Sequence, residues 1–316
     1  MDAAGVWVTV PTFNEAGNVE RIVRDALVVL QRCAPGDHRI LIVDDDSPDG
    51  TGALADALAA ELPAVEVLHR RGKQGLGRAY LAGFERALAG GAQRVVVMDA
   101  DYSHDPAYLP SILDAAQSSD LVLGSRYVRG GSVVHWPPLR RLLSRAGSTY
   151  ARAVLGVRVR DLTGGYRCIS REVLERVEMA TLRSQGYVFN IELTFRALQA
   201  GFRVTEVPIV FRDRTVGESK ISLGIAVEAL WLVPSLRFPT LRRIWPARKV
   251  PLAHPGARID VDPPAEREPG EQGPSVGPGT VLAGVPQEPG QRGEMGHHRH
   301  LDGQVAHEPR DRSQLA

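Results

Sequence analysis

Two aspartates separated by one residue have the side-chain type and the spacing to do chemistry. Asp99 and Asp101 directly follow the apolar run 94–98. Side chains at i and i+2 of an extended chain share a face, so both carboxylates are predicted to point the same way. Like charges this close repel unless protons or a cation neutralise them. Hard oxygen ligands favour Mg²⁺ or Mn²⁺, so the triplet predicts a divalent metal site, with solvated loop acids as the alternative.

A second acidic group, residues 44–46, follows the apolar run 39–43. The next residues, Ser-Pro-Asp-Gly-Thr, predict a turn, and Asp49 or Thr51 is suited to cap the helix that begins there. A turn and a cap do not require three acids at the end of a strand. A carboxylate at that position can accept hydrogen bonds from the base or the ribose of a nucleotide.

Basic side chains occur where an anionic ligand would need them. Arg126 closely follows the apolar run 120–123, and bidentate pairing with a phosphate is a natural use of arginine. Arg214 and Lys220 flank a polar segment that is typical of a flexible phosphate clamp. Lys73 is suited either to a phosphate or to solvent, and its segment, Gly-Lys-Gln-Gly-Leu-Gly, matches neither the P-loop nor GxGxxG.

The elements that must position these residues alternate along the first half of the chain. Predicted strands cover residues 6–10, 39–43, 65–68, 94–98 and 120–123; predicted helices cover 18–32, with Asn18 as N-cap, and 51–62, 77–89 and 106–117. This alternation indicates a mostly parallel sheet with helices on both faces. Ligands of such sheets bind beyond the carboxyl ends of the strands, which is where the polar segments occur.

The second half of the sequence is less regular. Helices are predicted over 139–155, 171–177 and 189–200, strands over 165–169 and 203–211, and a short apolar helix over 223–236. Residues 1–246 form the predicted α/β domain. The segment 247–316 has ten Pro, ten Gly and no aromatic residue, so it cannot bury enough apolar surface to offset its chain entropy, and we expect a disordered tail.

Composition excludes several classes of protein. The 316 residues carry 38 basic and 37 acidic side chains, which gives no general reason to bind nucleic acid. Cys33 and Cys168 make neither a disulfide framework nor a zinc site, and we expect two buried thiols. No apolar run is long enough to span a bilayer, so the expected location is the cytoplasm, with possible contact to a membrane surface.

The motifs taken together resemble one known family, the GT-A-fold (Rossmann-like) family 2 glycosyltransferases, and among them the dolichol- or polyprenol-phosphate mannosyltransferases. The resemblance covers residues 6–222 with every block in order. Its blocks are Pro-Thr-Phe-Asn-Glu (11–15), Val-Asp-Asp-Asp-Ser-Pro-Asp-Gly-Thr (43–51), Gly-Lys-Gln-Gly-Leu-Gly (72–77), Met-Asp-Ala-Asp-Tyr-Ser-His (98–104), Gly-Ser-Arg-Tyr (124–127), Thr-Gly-Gly-Tyr-Arg (163–167) and Arg-Thr-Val-Gly-Glu-Ser-Lys (214–220).

The resemblance implies inverting transfer of mannose from GDP-mannose to a polyprenyl (dolichyl-type) phosphate, with Mg²⁺ or Mn²⁺. The implied nucleoside ligands are Pro11, Phe13, Glu15, Val43 and Asp45, and the implied diphosphate ligands are Asp99, Ala100 and Asp101. The implied cations for the donor or acceptor phosphates are Arg126, Arg214 and Lys220. Arg140 and Ser144 would help Arg126 to seat the acceptor phosphate. Asp101 would be the principal metal ligand beside Asp99, while Ser103 stands where relatives often have Gln.

A polyprenyl acceptor implies an enzyme that works at the membrane. We expect a peripheral protein on the inner face of the cell membrane, with a membrane protein as a further possible partner. Candidate membrane contacts are Trp136, Leu139, Leu142, Leu143 and the segment 223–238, with Trp231 and Arg237; ordinary core packing of these side chains is the alternative.

Three other functions remain open from the sequence. Another donor such as UDP-glucose would keep the same chemistry, because no motif specifies the base or the sugar. A nucleotide-sugar-binding subunit without turnover would not require both aspartates and the full set of cations. A nucleotidyltransferase would normally begin with a Gly- and Arg-rich loop, which residues 11–15 do not provide.

Overall fold

The computed structural model describes residues 5–182, 186–212, 230 and 232–238. The segment with Arg214 and Lys220, most of the predicted helix 223–236 with Trp231, and the predicted tail all lie outside the described residues. The tail and the role of the clamp therefore stay predictions.

A seven-stranded sheet organises the described residues. Its strands are β1 (Val6–Thr12), β2 (His38–Asp44), β3 (Val65–His69), β4 (Arg94–Val97), β5 (Leu121–Ser125), β7 (Arg167–Ser170) and β8 (Val204–Pro208). They lie in the order β3-β2-β1-β4-β7-β5-β8. Only β7 runs antiparallel to its neighbours, so the predicted mostly parallel sheet is confirmed.

The single strand predicted over 203–211 is wrong. The structure divides it between β8 and a separate strand, β9 (Val210–Arg212), which pairs in parallel with β6 (Ser132–Val134) in a two-stranded sheet. Ile209 lies between β8 and β9 and is buried. Pro208, the last residue of β8, has no N–H to donate to a ladder, which is consistent with the break there.

Seven helices are described, and their apolar faces cover both sides of the sheet. They are α1 (Val19–Cys33), α2 (Thr51–Glu61), α3 (Leu76–Ala89), α4 (Leu109–Ala115), α5 (Pro138–Leu155), α6 (Arg171–Arg176) and α7 (Gly186–Gln199). Alternate residues of a strand face opposite sides: Val8 packs with α1, α2 and α4, whereas Trp7 packs with α3, α5, α6 and α7. The predicted two-sided sheet is therefore what the chain forms.

Three local expectations need correction, for Asn18, for the helix over 106–117 and for Cys33. Asn18 occupies the N-cap position of α1, but its side chain makes no capping bond and its Nδ2 instead donates to Glu15 Oε2 at 2.9 Å. The helix predicted over 106–117 begins as a 3-10 turn, Pro106–Tyr108, before α4. Cys168 is buried as expected, whereas Cys33 is only half-buried.

The strand order creates a cleft at the carboxyl ends of β1 and β4. From β1 the chain moves outward through β2 and β3, and then returns to the other side of β1 with β4. The loops after β1 and β4 therefore leave the sheet in different directions, which opens a crevice at their carboxyl ends. Among the described residues, no helix combines the length and the apolar content needed to cross a bilayer.

Candidate active site

The paired aspartates follow β4 at this crevice. Strand β4 ends at Val97, and Asp99 to Asp101 lie in a turn in which Tyr102 has a φ of 61°. Strand alternation therefore does not set the directions of the two carboxylates, and that part of the sequence argument is wrong. Asp101 is buried, whereas the side chain of Asp99 is 31% exposed.

Several side chains hold this turn in place. The backbone N–H of Asp99 donates to His104 Nδ1 at 2.9 Å, so this ring nitrogen acts as an acceptor. The imidazole of His104 is buried and stacks on Tyr166, with ring centroids 4.9 Å apart. Tyr80 donates from its hydroxyl to Asp99 Oδ1 at 3.4 Å. The Asp99 turn is thus supported from α3 and from the residues beside β7.

The turn around Asp101 is fixed by its own backbone and by α1. Asp101 Oδ1 accepts the N–H of Ser103 at 3.0 Å, and the Tyr102 hydroxyl donates to Asp25 Oδ2 of α1 at 2.6 Å. Burial and the neighbouring Asp25 carboxylate raise the pKa of the Tyr102 hydroxyl well above its usual value, so it stays protonated as a donor. These bonds restrict the position of the Asp101 carboxylate.

The donor set at this turn fits a hard divalent cation. Two carboxylates supply only oxygen ligands, which suits Mg²⁺ or Mn²⁺. The described residues contain no group of three or more His, Cys, Asp or Glu that could hold a metal. A cation on Asp99 and Asp101 would therefore draw its other ligands from water or a bound diphosphate, as Mg²⁺ commonly does. Whether Ser103 takes part stays a prediction.

Asp44, the last residue of β2, and Asp45, which follows it, have different surroundings. Asp44 is buried and accepts hydrogen bonds from the Thr12 hydroxyl at 3.1 Å and the Ser47 hydroxyl at 2.6 Å, so it holds the turn together. Asp45 is also buried, and it forms an ion pair with Arg70, just after β3. Burial raises the pKa of the Asp45 carboxyl, and the charge of Arg70 offsets only part of that rise.

The loops after β1 and β2 are bonded to each other. Glu15 accepts from Asn18, and its N–H donates to the Thr51 hydroxyl at 2.9 Å. Phe13 is half-buried, and the ammonium of Lys73 lies 3.9 Å from its ring centroid. Pro11 of β1 and Val43 of β2 pair in register beside these loops. The role of these residues as nucleoside ligands stays a prediction.

Arg126 follows β5 and forms an ion pair with Asp161, a residue that the sequence argument did not identify. Its Nε and Nη2 donate to the two carboxylate oxygens of Asp161, each at 2.7 Å, and its backbone N–H donates to the same carboxylate at 3.0 Å. The Nε and Nη2 edge of Arg126 is thus paired with Asp161, and the phosphate-binding role of Arg126 stays a prediction. Burial opposes ionisation of Asp161, but the charge and hydrogen bonds of Arg126 outweigh it and lower the pKa of the carboxyl.

Aromatic rings connect Arg126 with the other predicted acceptor residues. Trp136 lies within 5.6 Å of the Arg126 guanidinium carbon and 4.2 Å of that of Arg140. The hydroxyl of Tyr127 donates to Ser144 Oγ at 2.6 Å. The structure thus brings Arg126, Arg140 and Ser144 to one region around Trp136 and Tyr127.

The membrane role expected of Trp136 is wrong, because only 5% of this residue is exposed. Its ring packs edge-on against Phe211, and within the described residues its indole N–H has no hydrogen-bond acceptor. Core packing, which the sequence left open as the alternative, is correct for this residue.

The family of the chain is shown by its similarity to known proteins. Residues 7–178 match the family described as Glycosyl transferase family 2. The chain belongs to glycosyltransferase family 2.

Two curated relatives cover most of this glycosyltransferase. It is 49% identical over 228 residues to a protein named polyprenol monophosphomannose synthase from Mycolicibacterium smegmatis, an alignment covering 72% of this chain and 84% of the relative. It is 46% identical over 225 residues to a protein named undecaprenyl-phosphate mannosyltransferase from Micrococcus luteus, covering 71% and 90% respectively.

A solved structure confirms the GT-A fold. Glucosyl-3-phosphoglycerate synthase from Mycobacterium tuberculosis, crystallised with Mn²⁺, uridine diphosphate and phosphoglyceric acid, superposes with a TM-score of 0.55. The match covers 74% of this chain and 79% of that chain at 21% sequence identity. At this identity the likeness shows the shared fold alone.

Sequence reasoning missed three side chains of the glycosyltransferase site: Arg70, Tyr80 and Asp161. Arg70 follows the third predicted strand directly, which is the same signal that singled out Arg126. Asp161 stands two residues before the block that begins at Thr163. Tyr80 faces the site from a helix, and nothing in its spacing distinguishes it from an ordinary core residue.

The Thr-Gly-Gly-Tyr-Arg block packs behind the aspartates. A Cβ on Gly165 would lie 3.0 Å from His104 Cε1, which is tighter than an ordinary contact, so a larger residue would require the imidazole to shift by a few tenths of an ångström. Arg167 is fully buried, donates to the carbonyls of Gly164 and Asn190, and forms no ion pair among the described residues. Burial lowers its pKa to about 10, and the guanidinium stays charged at neutral pH.

Proposed function

We propose that this glycosyltransferase transfers mannose from GDP-mannose to a polyprenyl (dolichyl-type) phosphate, with inversion at the anomeric carbon. The observation that carries the proposal is the 49% identity that spans 84% of polyprenol monophosphomannose synthase. The relative named undecaprenyl-phosphate mannosyltransferase supports the same sugar and the same class of acceptor.

The donor would bind across the crevice between β1 and β4. Phe13 and Asp45, with Pro11, Glu15 and Val43, would contact the nucleoside. The diphosphate would lie at Asp99, Ala100 and Asp101. The Asp45–Arg70 pair leaves this carboxylate buried and oriented, so it can accept hydrogen bonds without reorganising.

A divalent cation would be held by Asp101 and Asp99, and it would supply positive charge to the departing diphosphate. Glucosyl-3-phosphoglycerate synthase from Mycobacterium tuberculosis, which shares the fold, has been crystallised with Mn²⁺ and with Mg²⁺. Three hydrogen bonds hold the turn in place: the Tyr80 hydroxyl donates to the Asp99 carboxylate, His104 Nδ1 accepts the backbone N–H of Asp99, and the backbone N–H of Ser103 donates to the Asp101 carboxylate. Arg214 and Lys220 would add cationic contacts from the segment outside the described residues.

The acceptor needs little activation. A phosphate monoester has a second pKa of about 6, so it is already largely dianionic near neutral pH and needs no general base. What it needs is a fixed position beside the anomeric carbon. Arg126, Arg140 and Ser144 would provide this position, and Tyr127 and Trp136 keep the three together.

A lipid acceptor requires contact with the membrane, because withdrawing a polyprenyl chain costs about 0.8 kcal/mol per CH₂. Helix α5 offers an apolar surface beside the acceptor residues: Leu139, Leu142 and Leu143 are 66%, 65% and 58% exposed. These positions follow i, i+3 and i+4 spacing and therefore share a face. Peripheral association with the inner face of the cell membrane is the location that this surface supports.

The assay of this function incubates the purified chain with labelled nucleotide sugars, polyprenyl phosphate and Mg²⁺ or Mn²⁺. Label is then measured in the organic phase. Label from GDP-mannose is the expected result. Label from UDP-glucose alone would replace the donor assignment, and no label from any donor, with GDP-mannose still bound, would indicate a binding subunit instead of an enzyme.

A further inference from the structure

We propose that Asp161 is a positioning residue for the acceptor phosphate, which it serves by fixing the guanidinium of Arg126. This inference rests on the proposed function. Among the described residues, the side chain of Asp161 forms no hydrogen bond with the predicted nucleoside or metal ligands, and its partners are Arg126 and Thr163.

The contacts of the carboxylate leave Arg126 a single orientation. Asp161 is completely buried, and its two oxygens accept from Nε, Nη2 and the backbone N–H of Arg126. The Thr163 hydroxyl accepts from Nη2 at 2.7 Å. An unrestrained arginine loses rotamer freedom when it binds a ligand, and this pairing removes that freedom before any ligand binds.

The position of Asp161 is itself set by the sheet. Glu206 of β8 pairs in register with Leu123 of β5, three residues before Arg126. Its Oε1 accepts the N–H of Asp161 at 2.9 Å, and its Oε2 accepts the N–H of Arg160 at 2.8 Å. A continuous path of hydrogen bonds therefore runs from β8 through Glu206 and Asp161 to Arg126.

Aromatic rings enclose the rest of the guanidinium. The rings of Tyr127, Trp136 and Phe211 have centroids 5.3, 5.6 and 5.4 Å from its central carbon. Without Asp161, this cation would be buried among rings with its main counter-charge removed, and it would leave that position or lose its alignment. Arg126 is thus a cation whose direction depends on Asp161, and Trp136 joins it to Arg140.

A positioning role differs from a general structural role in which kinetic constant it changes. Replacing Asp161 should weaken binding of the acceptor and leave binding of the donor almost unchanged. The side chain of Arg126 is 5% exposed and lies with the acceptor residues. Loss of one hydrogen bond to a charged group corresponds to roughly a 10- to 100-fold change in binding. A general loss of folding would instead raise both KM values or lower the active fraction.

The test is a double-mutant cycle on the full chain, with a short-chain polyprenyl phosphate as the acceptor. Asp161→Asn is expected to raise the acceptor KM roughly 10- to 100-fold and to change the KM for GDP-mannose less than about twofold. In an Arg126→Ala background, the same substitution is expected to have no further effect on acceptor binding, measured by calorimetry, because Asp161 acts through Arg126.

Two further variants keep the test decisive. Asp120→Asn is the matched control: Asp120 accepts the N–H of Arg203 at 2.7 Å at the opposite end of β5 and β8, and its loss should leave both KM values unchanged. If Asp161→Asn does not fold, Thr163→Val removes a single acceptor from Nη2 and is expected to raise the acceptor KM in the same direction.

Three outcomes would overturn the inference. They are additive effects of the Asp161 and Arg126 substitutions, equal changes in the two KM values, and an unchanged acceptor KM in both Asp161→Asn and Thr163→Val. If the unmutated chain transfers mannose and one of these results is seen, the role of Asp161 is refuted and the proposed function is not. An unmutated chain with no transfer to polyprenyl phosphate would refute the proposed function, and the role of Asp161 with it.

Discussion

Neighbouring acids in this site differ because their partners differ. Asp44 and Asp45 are consecutive and both buried, yet one closes a turn with Thr12 and Ser47 while the other pairs with Arg70. The same contrast holds for Asp99, which is partly exposed, and Asp101, which is buried. At the scale of single residues, environment assigns the roles that residue type leaves open.

The role of Asp101 can be tested by substitution. Asp101→Ala is expected to lower kcat for mannose transfer by at least roughly 10²- to 10³-fold, the usual result of removing a group that stabilises developing charge. Calorimetry with Mn²⁺ and GDP should show weaker metal binding in the same variant. Asp114→Ala, at an exposed position of α4, is the control and should match the unmutated chain. Full activity of Asp101→Ala would refute the metal assignment.

The Arg70–Asp45 pair predicts a pH dependence of donor binding. Burial raises the pKa of the Asp45 carboxyl, and Arg70 is the cation that lowers it. Arg70→Ala removes that lowering, so Asp45 should take up a proton at a higher pH than in the unmutated chain. The KM for GDP-mannose should therefore rise as the pH falls, and it should do so at higher pH in the variant.

A pH series of KM values for the two proteins measures this shift. Arg71→Ala, one residue further along, is the matched control for loss of a neighbouring arginine. If the KM of Arg70→Ala rises at the same pH as the KM of the unmutated chain, Asp45 does not contact the donor in its charged form.

At the scale of elements, hydrophobic periodicity predicted most of what forms. The strands β1 to β5 and the helices α1, α2, α3 and α5 lie within a few residues of their predicted bounds, because each buries one or two regular faces. Periodicity could not reveal the turn at Asp99, the break at Ile209 or the partner of Arg126. These depend on contacts between distant segments, such as the 35 residues that separate Arg126 from Asp161.

The exposed leucines of α5 predict binding to membranes. Replacing Leu139, Leu142 and Leu143 together by Ser is expected to reduce flotation of the full chain with anionic liposomes, because about three apolar side chains no longer enter the interface. Val28→Ser is the control, since Val28 is an exposed apolar residue on α1, away from the acceptor residues. Equal flotation of the triple variant and the control would exclude α5 as the membrane-binding element.

At the scale of the molecule, two arginines of the site are paired with buried carboxylates. Arg70 is balanced by Asp45, and Arg126 is balanced by Asp161. This pairing agrees with a formal net charge of only +1 for the whole chain. Attraction of anionic substrates therefore depends on where donors are fixed and not on a general positive field.

The burial of Cys168 predicts how the stability of the whole fold depends on pH. Cys168 lies in β7 at the centre of the sheet, and burial raises the pKa of its thiol from 9.0 to about 12. Between these values the unfolded chain has lost the thiol proton while the folded chain retains it. The unfolded state is then favoured by rising pH, so the thiol should remove up to about 1.4 kcal/mol of stability per pH unit above 9.

Urea unfolding at a series of pH values from 8 to about 10.5 measures this slope, with the fold followed by circular dichroism. Cys168→Ala is expected to have a shallower loss of stability above pH 9 than the unmutated chain. Cys33→Ala is the matched control: Cys33 is half-buried and burial raises its pKa as well, so its removal should flatten the slope by less. If Cys168→Ala leaves the slope unchanged, this thiol ionises equally in the folded and unfolded chains. That result would contradict the raised pKa expected from its burial in β7.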